Sequence, residues 1–213
     1  MLGLRVEFEW SVFPDYEIEP GEPGDPETFI GAGSNDRLIA VGSAGSGLRT
    51  RPLDMFPSLY IELAKAEPTI EAHKIFARKY GLMKNELEED TFVWQECIKD
   101  VKELIATLSD KRKWEIRDGW YAPYEIRSGF KLQFVPTRDD ENGMDLTIVP
   151  NSLYCAIALQ CLSNYAKGAK VRSCRSCGEL FEIHGTSGRR SNREFCSDKC
   201  RFAFHHRARG KKQ

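Results

Sequence analysis

Apolar residues recur at three- and four-residue steps between residues 94 and 108, and charged residues fill the positions between them. This is the period of an amphipathic helix with one buried side. The apolar positions are Trp94, Cys97, Ile98, Val101, Leu104, Ile105 and Leu108. Because Cys97 lies within the apolar stripe, we expect it to be a core residue and not a reactive thiol.

Helical patterning also extends upstream, over residues 54–81. Asp54 is a candidate N-cap for a first helix, Pro68 interrupts the pattern, and Gly81 suits the end of a second helix after ARKY. The sequence therefore predicts three successive helices between residues 54 and 108.

A further helix is predicted over residues 151–168, where apolar residues occur on nearly every side. Asn151 or Ser152 can cap its start, and Gly168 can end it. A helix without a polar face is expected at the centre of a core. We therefore expect Cys155 and Cys161, both within this helix, to be buried and unreactive.

Strand patterns occupy the remaining regular segments. Residues 4–13 alternate apolar and polar, which predicts one half-buried strand, and RLIAV (37–41) and LRTRPL (48–53) also have strand character. GFKLQFV (129–135) and MDLTIV (144–149) are expected to form a hairpin around the turn-like TRDDENG (137–143). The aromatic-rich residues 114–126 favour strands too; their aromatics are expected in the core, with base stacking as the alternative. The fold class is α+β.

Composition narrows the classes of protein that fit. The chain has 41% hydrophobic and 30% charged residues, which is typical of a soluble protein. It has no apolar run long enough to cross a membrane and no signal-peptide pattern, so we expect it in the cytoplasm. Thiols remain reduced there, so closely spaced cysteines favour metal binding over disulfides. Residues 1–169 contain no metal-binding His pair, dinucleotide fingerprint or phosphate-loop motif, so we expect no enzyme activity from them.

Charge divides the chain into two predicted parts, the body (residues 1–169) and the finger (residues 170–213). The finger has twelve Lys and Arg against four acids, a formal charge of +8, whereas the body has 19 basic and 28 acidic residues, a charge of −9. Such asymmetry is typical of a basic appendage that binds a polyanion. The body is then a candidate sensor or interaction domain, and a candidate surface for homodimer or protein-partner contact.

Four cysteines in the finger have the spacing of a structural zinc site. Two residues separate Cys174 from Cys177, eighteen follow, and three separate Cys196 from Cys200. Each short pair can place two sulfurs on one ion, and four thiolates complete a tetrahedral Zn²⁺ site with no open position for catalysis. The histidines of the chain (His73, His184, His205 and His206) are therefore expected at the surface or on phosphate and not on the metal.

The pattern around these cysteines predicts a treble-clef finger. ELFEIH (179–184) reads as a strand, GTSG as a turn and SNREFC (191–196) as a returning strand. Ser197 can cap a final helix that has Cys200 in its first turn. The metal would then fix a set of guanidinium groups suited to nucleic-acid phosphates. The predicted contacts are Arg189, Arg190, Arg193, Arg201, Arg207 and Arg209.

These residues also resemble a known family. The run Cys174-x2-Cys177 with Phe181, followed by RRSNREFCSDKC and a basic helix, resembles the CGNR-type zinc fingers of bacterial transcription regulators linked to stress. The resemblance covers about the last forty residues and implies zinc ligation by the four cysteines and binding to double-stranded DNA. This chain has Arg201-Phe202-Ala203 where the family has Gly-Asn-Arg, so the family's base-reading residues do not carry over.

The sequence thus predicts a zinc-finger DNA-binding protein that regulates transcription. Two alternatives belong to other classes. The finger could instead be a protein interaction module that docks on an acidic partner or on the body. It could also be a nuclease that uses His184, Asn192 and His205 around the hairpin.

Overall fold

The structure, a computed structural model, describes residues 5–6, 8–21, 36–42, 46–109, 129–136, 144–183 and 192–210. Helices and strands are mixed along these residues, which confirms the α+β class. The strands are β1 (Arg5–Val6), β2 (Trp10–Val12), β3 (Tyr16–Glu19), β4 (Arg37–Ala40), β5 (Leu48–Thr50), β6 (Glu88–Asp90), β7 (Phe130–Pro136), β8 (Met144–Pro150), β9 (Lys170–Ser173) and β10 (Leu180–Ile183). The helices are α1 (Pro52–Met55), α2 (Leu59–Lys65), α3 (Ile70–Tyr80), α4 (Thr91–Ser109), α5 (Leu153–Ala166) and α6 (Asp198–Gly210).

Helices α2, α4 and α5 form the main hydrophobic core of the body. The apolar side of α4 is buried along its whole length, as its periodicity predicts, and Cys97 lies within it. Helix α5 is buried on nearly every side; Ser152 caps it by accepting a hydrogen bond from the backbone N–H of Cys155. Cys155 and Cys161 are both buried, so the prediction of a central helix is confirmed.

A buried amide links α5 to the start of α2. The side-chain oxygen of Gln160 accepts from the backbone N–H of Leu59 at 2.8 Å, and its nitrogen donates to the carbonyl of Phe56 at 2.8 Å. A helix start leaves unpaired N–H groups, and here a distant side chain supplies an acceptor for one of them. Gln160 therefore fixes the position of α2 against the central helix.

Short sheets surround this helical core. Strand β8 lies between β1, which is parallel to it, and β7, which is antiparallel and confirms the predicted hairpin. Strand β4 pairs with both β3 and β6, and β2 pairs with β5. The turn at 137–143 and the aromatic-rich stretch at 114–126 lie outside the described residues.

Gly81 ends α3, as predicted, and its conformation is required there. Its φ is +92°, and a Cβ at this position would lie 2.5 Å from Cδ1 of Trp10 and 2.7 Å from the carbonyl oxygen of Ser11. The chain thus passes too close to β2 for any side chain. The adjacent Leu82 carbonyl accepts a hydrogen bond from Nε1 of Trp10 at 2.8 Å, which holds β2 against the end of α3.

Two local predictions are wrong. Residues 4–13 do not form one half-buried strand: β1 and β2 pair in different sheets, and all three residues of β2 are buried because both of its faces are covered. Asp54 is not an N-cap but lies inside α1, because Pro52 starts that helix two residues earlier with its preset φ.

His73 is also not a surface residue. Its imidazole is fully buried, stacks on the Trp94 ring at 4.5 Å, and has Nε2 3.0 Å from Oε1 of Glu89. The Glu89 carboxylate is buried as well and accepts hydrogen bonds from the backbone N–H groups of Met83 and Lys84. His73 therefore joins α3, α4 and β6, which sequence periodicity around one histidine could not indicate.

Among the described helices, none combines the length and the apolar character needed to cross a lipid bilayer.

Candidate metal centre

The first cysteine pair lies at the tip of the antiparallel hairpin formed by β9 and β10. The backbone N–H of Cys174 donates to the carbonyl of Glu179, and the N–H of Gly178 donates to the carbonyl of Cys174, both at 2.8 Å. Gly178 has a φ of +80°, which turns the chain back just after Cys177. The two thiols are therefore held on one side of a tight turn.

The second pair lies at the start of α6. Ser197 caps this helix, since its hydroxyl accepts from the backbone N–H of Cys200 at 3.2 Å and its carbonyl accepts from the N–H of Arg201. Cys200 is thus in the first turn, and Cys196 immediately precedes the cap. Both features confirm the sequence prediction.

The four sulfurs come together in one cluster. The Sγ atoms of Cys174, Cys177, Cys196 and Cys200 all lie within 4.8 Å of one another. The Sγ atom of Cys196 lies 3.7 Å from that of Cys177 and 3.5 Å from that of Cys200. A disulfide needs about 2.05 Å, whereas sulfurs about 2.3 Å from a tetrahedral metal centre are ~3.8 Å apart. The separations fit a cluster that could hold one metal ion.

The pKa values of the thiols differ within the cluster. Burial opposes ionisation of Cys174, but backbone N–H groups of Cys196, Cys177 and Ser176 hold the pKa of its thiol at about 6. Burial raises the pKa of Cys196 to about 12, with further support from hydrogen bonds to neighbouring thiols, first among them Cys200. One sulfur thus favours the thiolate and another keeps its proton. A bound cation would replace such protons and hold every ligand as thiolate.

Side chains connect the two cysteine loops without touching the sulfurs. Arg175 donates to the Glu194 carboxylate at 2.7 Å, its backbone N–H donates to the Glu194 carbonyl, and its guanidinium lies 5.1 Å from the centre of the Phe204 ring. Arg193 donates to the carbonyls of Phe195 and Cys196. Both arginines therefore order the loops that carry the ligands. Sequence analysis did not single out Arg175.

Within its described residues, 170–183 and 192–210, the finger has a small apolar core of its own. The buried residues of this cluster are Cys174, Phe181 and Ile183, with Phe195, Cys196 and Cys200 packed against them. Phe181 and Phe195 thus pack against the cysteine cluster. A metal ion would complete this core from within.

A carboxylate on β10, that of Glu182, also holds the finger against the body. Oε2 of Glu182 accepts hydrogen bonds from the hydroxyls of Ser58 and Tyr60 and from the side-chain nitrogen of Asn164. Burial and the hydrogen bond to Glu182 raise the pKa of Tyr60, which therefore remains protonated as a donor. Val171 and Leu180 pack beside this network against the body core. In the sequence, the indication of this contact is that Glu182 is an acidic residue within the otherwise basic finger.

The predicted phosphate contacts are placed unevenly. Arg189 and Arg190 lie outside the described residues, and only the backbone of Arg209 is described, within α6. Arg193 is exposed but donates to loop carbonyls. Arg201 pairs with Asp198 at 3.1 Å, and Arg207 is exposed further along α6. Phosphate binding by these arginines stays a prediction.

The geometry departs from the predicted treble clef at one point. Residues 193–195 form no strand, and the hairpin instead consists of β9 and β10 on either side of Cys174 and Cys177. The backbone carbonyl of Glu194 instead accepts a hydrogen bond from the N–H of Arg175 at 3.1 Å, which joins this segment to the first cysteine loop. Of the alternative nuclease residues, Asn192 and His205 are exposed and His184 lies outside the described residues.

Comparisons with protein-family models, with curated protein sequences and with solved structures find no match to this chain.

Proposed function

We propose that the four cysteines bind one structural Zn²⁺ ion and that the finger so formed binds double-stranded DNA, as part of a cytoplasmic transcription regulator. The observation that carries the proposal is the group of four Sγ atoms within 4.8 Å of one another. Four thiolates in a closed tetrahedral arrangement are typical of structural zinc, since no position remains for a substrate or a reactive water.

Zinc is favoured over other metals by the chemistry of the donors. All four are soft sulfurs from two short cysteine pairs, and such tetrahedral sites bind zinc or iron. The resemblance to CGNR-type fingers also favours zinc.

DNA is favoured as the partner by charge. Four thiolates and one Zn²⁺ reduce the formal +8 of the finger only to about +6. The described surface of α6 carries exposed Lys199, Arg201 and Arg207. A rigid domain that presents several cations can neutralise phosphates at fixed positions, which is the sequence-independent part of DNA binding.

The zinc proposal is tested by elemental analysis of the purified full chain. We expect one zinc per chain, and less than one in Cys177→Ser and Cys200→Ser variants. Release of zinc by a thiol-reactive mercurial, followed with a colorimetric indicator, should require modification of about four thiols. A protein that carries iron, or no transition metal, would contradict the proposal.

The DNA proposal is tested through salt dependence. Affinity for duplex DNA should fall steeply between about 50 and 200 mM salt, and the slope of log K against log salt should become smaller by about one for each phosphate contact removed. We expect this change for Arg207→Gln and a larger one for the Arg189→Gln/Arg190→Gln pair. Arg49→Gln, which removes an exposed guanidinium from the body, is the matched control and should leave the slope unchanged. Absence of binding at low salt would refute the proposal.

A further inference from the structure

Helix α6 has one side that faces away from the cysteine cluster. Cys200, Ala203 and Phe204 are partly buried and share the side that faces the metal cluster. The opposite side, by the period of 3.6 residues, carries residues that are all exposed. They are Asp198, Lys199, Arg201, Phe202, His205 and His206. An aromatic ring therefore stands at the centre of a polar and cationic surface.

Phe202 and Phe92 are two exposed phenylalanines on the described helices. The exposed fraction of Phe202 is 59%, and that of Phe92 on α4 is 52%. The two phenylalanines differ in charge environment. Phe92 follows Asp90 and lies one helical turn before Glu96. The guanidinium of Arg201, in contrast, lies 5.3 Å from the centre of the Phe202 ring. Of these two surfaces, the one around Phe202 is suited to an anionic partner that also offers apolar groups.

A DNA duplex offers such groups in its major groove, where thymine alone presents a C5-methyl group. That groove is about 12 Å wide and admits an α-helix. The exposed side of α6 is convex, and its cations can reach phosphates on the groove walls while a central ring reaches the base edges. Stacking on unpaired bases generally uses a groove that surrounds the strand, which a convex helix does not provide.

We propose that α6 enters the major groove and that Phe202 contacts a thymine methyl group, so that Phe202 determines part of the sequence preference. Arg201 supports this position, since its pairing with Asp198 at 3.1 Å keeps its guanidinium beside the ring. The inference rests on the proposed DNA binding and adds the chemical group that the finger reads.

The experiment compares two duplexes that differ only in methyl groups, alternating dA-dT and alternating dA-dU. Loss of one buried methyl contact corresponds to about fourfold in affinity. We expect the native protein to bind the thymine duplex about fourfold more tightly and Phe202→Ala to bind both duplexes equally. Phe92→Ala, the matched control, should retain the fourfold preference.

The outcomes separate this inference from the function on which it rests. If the native protein binds neither duplex, the proposed DNA binding fails. If it binds both equally, or if Phe202→Ala keeps the preference, the methyl contact is wrong while DNA binding stands. Zinc content verifies folding, and Phe202→Gln replaces the alanine variant if that variant loses zinc. Loss of zinc in both variants would make Phe202 a structural residue and overturn the inference.

Discussion

The body and the finger are held together by different forces. In the described part of the chain, the main core of the body contains 24 buried residues from helices and strands that are distant in sequence. The finger cluster contains three buried residues, and one of them is a cysteine ligand. Burial of apolar surface can stabilise the body, because many side chains leave water together.

The finger is a small segment without a comparable core, so its stability must come from other interactions. Small domains bury a low fraction of their surface and usually need disulfides, a metal or a partner surface. The finger has a four-sulfur cluster that could hold a metal ion, and it has a contact surface on the body at Glu182. The comparison predicts that metal removal affects the finger selectively and that core substitutions affect the body selectively.

Removal of the metal should have the largest effect on stability. Structural zinc contributes on the order of 10 kcal/mol to the folding of small domains, so a chelator or Cys200→Ser should unfold residues 174–210. Hydrogen exchange should show lost protection in β10 and α6 and retained protection in α4 and α5. Cys97→Ala is the control, since it removes a thiol from the body core and should leave the metal bound. Equal loss of protection in both regions would contradict the separation.

Truncation of the body core should have the next largest effect. The Trp94 side chain is fully buried between His73 and Phe76. Trp94→Ala should lower the free energy of unfolding of the body by about 3–5 kcal/mol through lost burial and the cavity left behind. Denaturant unfolding followed by circular dichroism measures this loss. Zinc content should remain one per chain, and its loss in this variant would show that the finger depends on the body.

The hydrogen bonds between Glu182 and the body should contribute less to stability than the body core does. Glu182→Gln removes the charge that three body donors share, and charge-assisted hydrogen bonds contribute about 1.5–3 kcal/mol. We expect faster hydrogen exchange in β9 and β10 with zinc still bound. Glu179→Gln makes the same chemical change at an exposed position before β10 and should have little effect. Unchanged exchange in Glu182→Gln would mean that apolar contacts alone hold the finger.

The smallest effect on stability is expected from a substitution at the surface of the body, at Asp15. A hydrogen bond from Arg78, with support from the backbone N–H of Tyr16, holds the pKa of Asp15 below its usual value of 3.8. A lowered folded-state pKa stabilises the protein above pH 3.8, and this contribution is lost as pH falls below it. Asp15→Asn should therefore lower Tm slightly at pH 7 and by less as pH falls below 3.8. A Tm difference that does not shrink as pH falls below 3.8 would point to packing instead of charge.

Much of the fold followed from local patterns. The apolar period of α4 and the cap at Ser152 appear within single stretches of sequence and were predicted correctly. The candidate site was equally accessible, because two short cysteine pairs are a local signal. The pairing of β1 with β8 could not be predicted from local patterns, because it joins residues more than 140 positions apart. The same is true of the change from one sheet to another between β1 and β2.

The sequence by itself determined the elements whose physics is local: helix period, capping hydroxyls, the glycine after α3 and the spacing of four thiols. Tertiary structure alone decided that His73 is buried on Trp94, that Gln160 orders the start of α2 and that Glu182 seats the finger on the body. The physical reason is that burying a polar side chain costs free energy unless a partner accepts or donates a hydrogen bond. Gln160 and Glu182 have their hydrogen-bond partners on other elements, and the imidazole of His73 lies between Trp94 and the Glu89 carboxylate, also on other elements; periodicity indicates none of these partners.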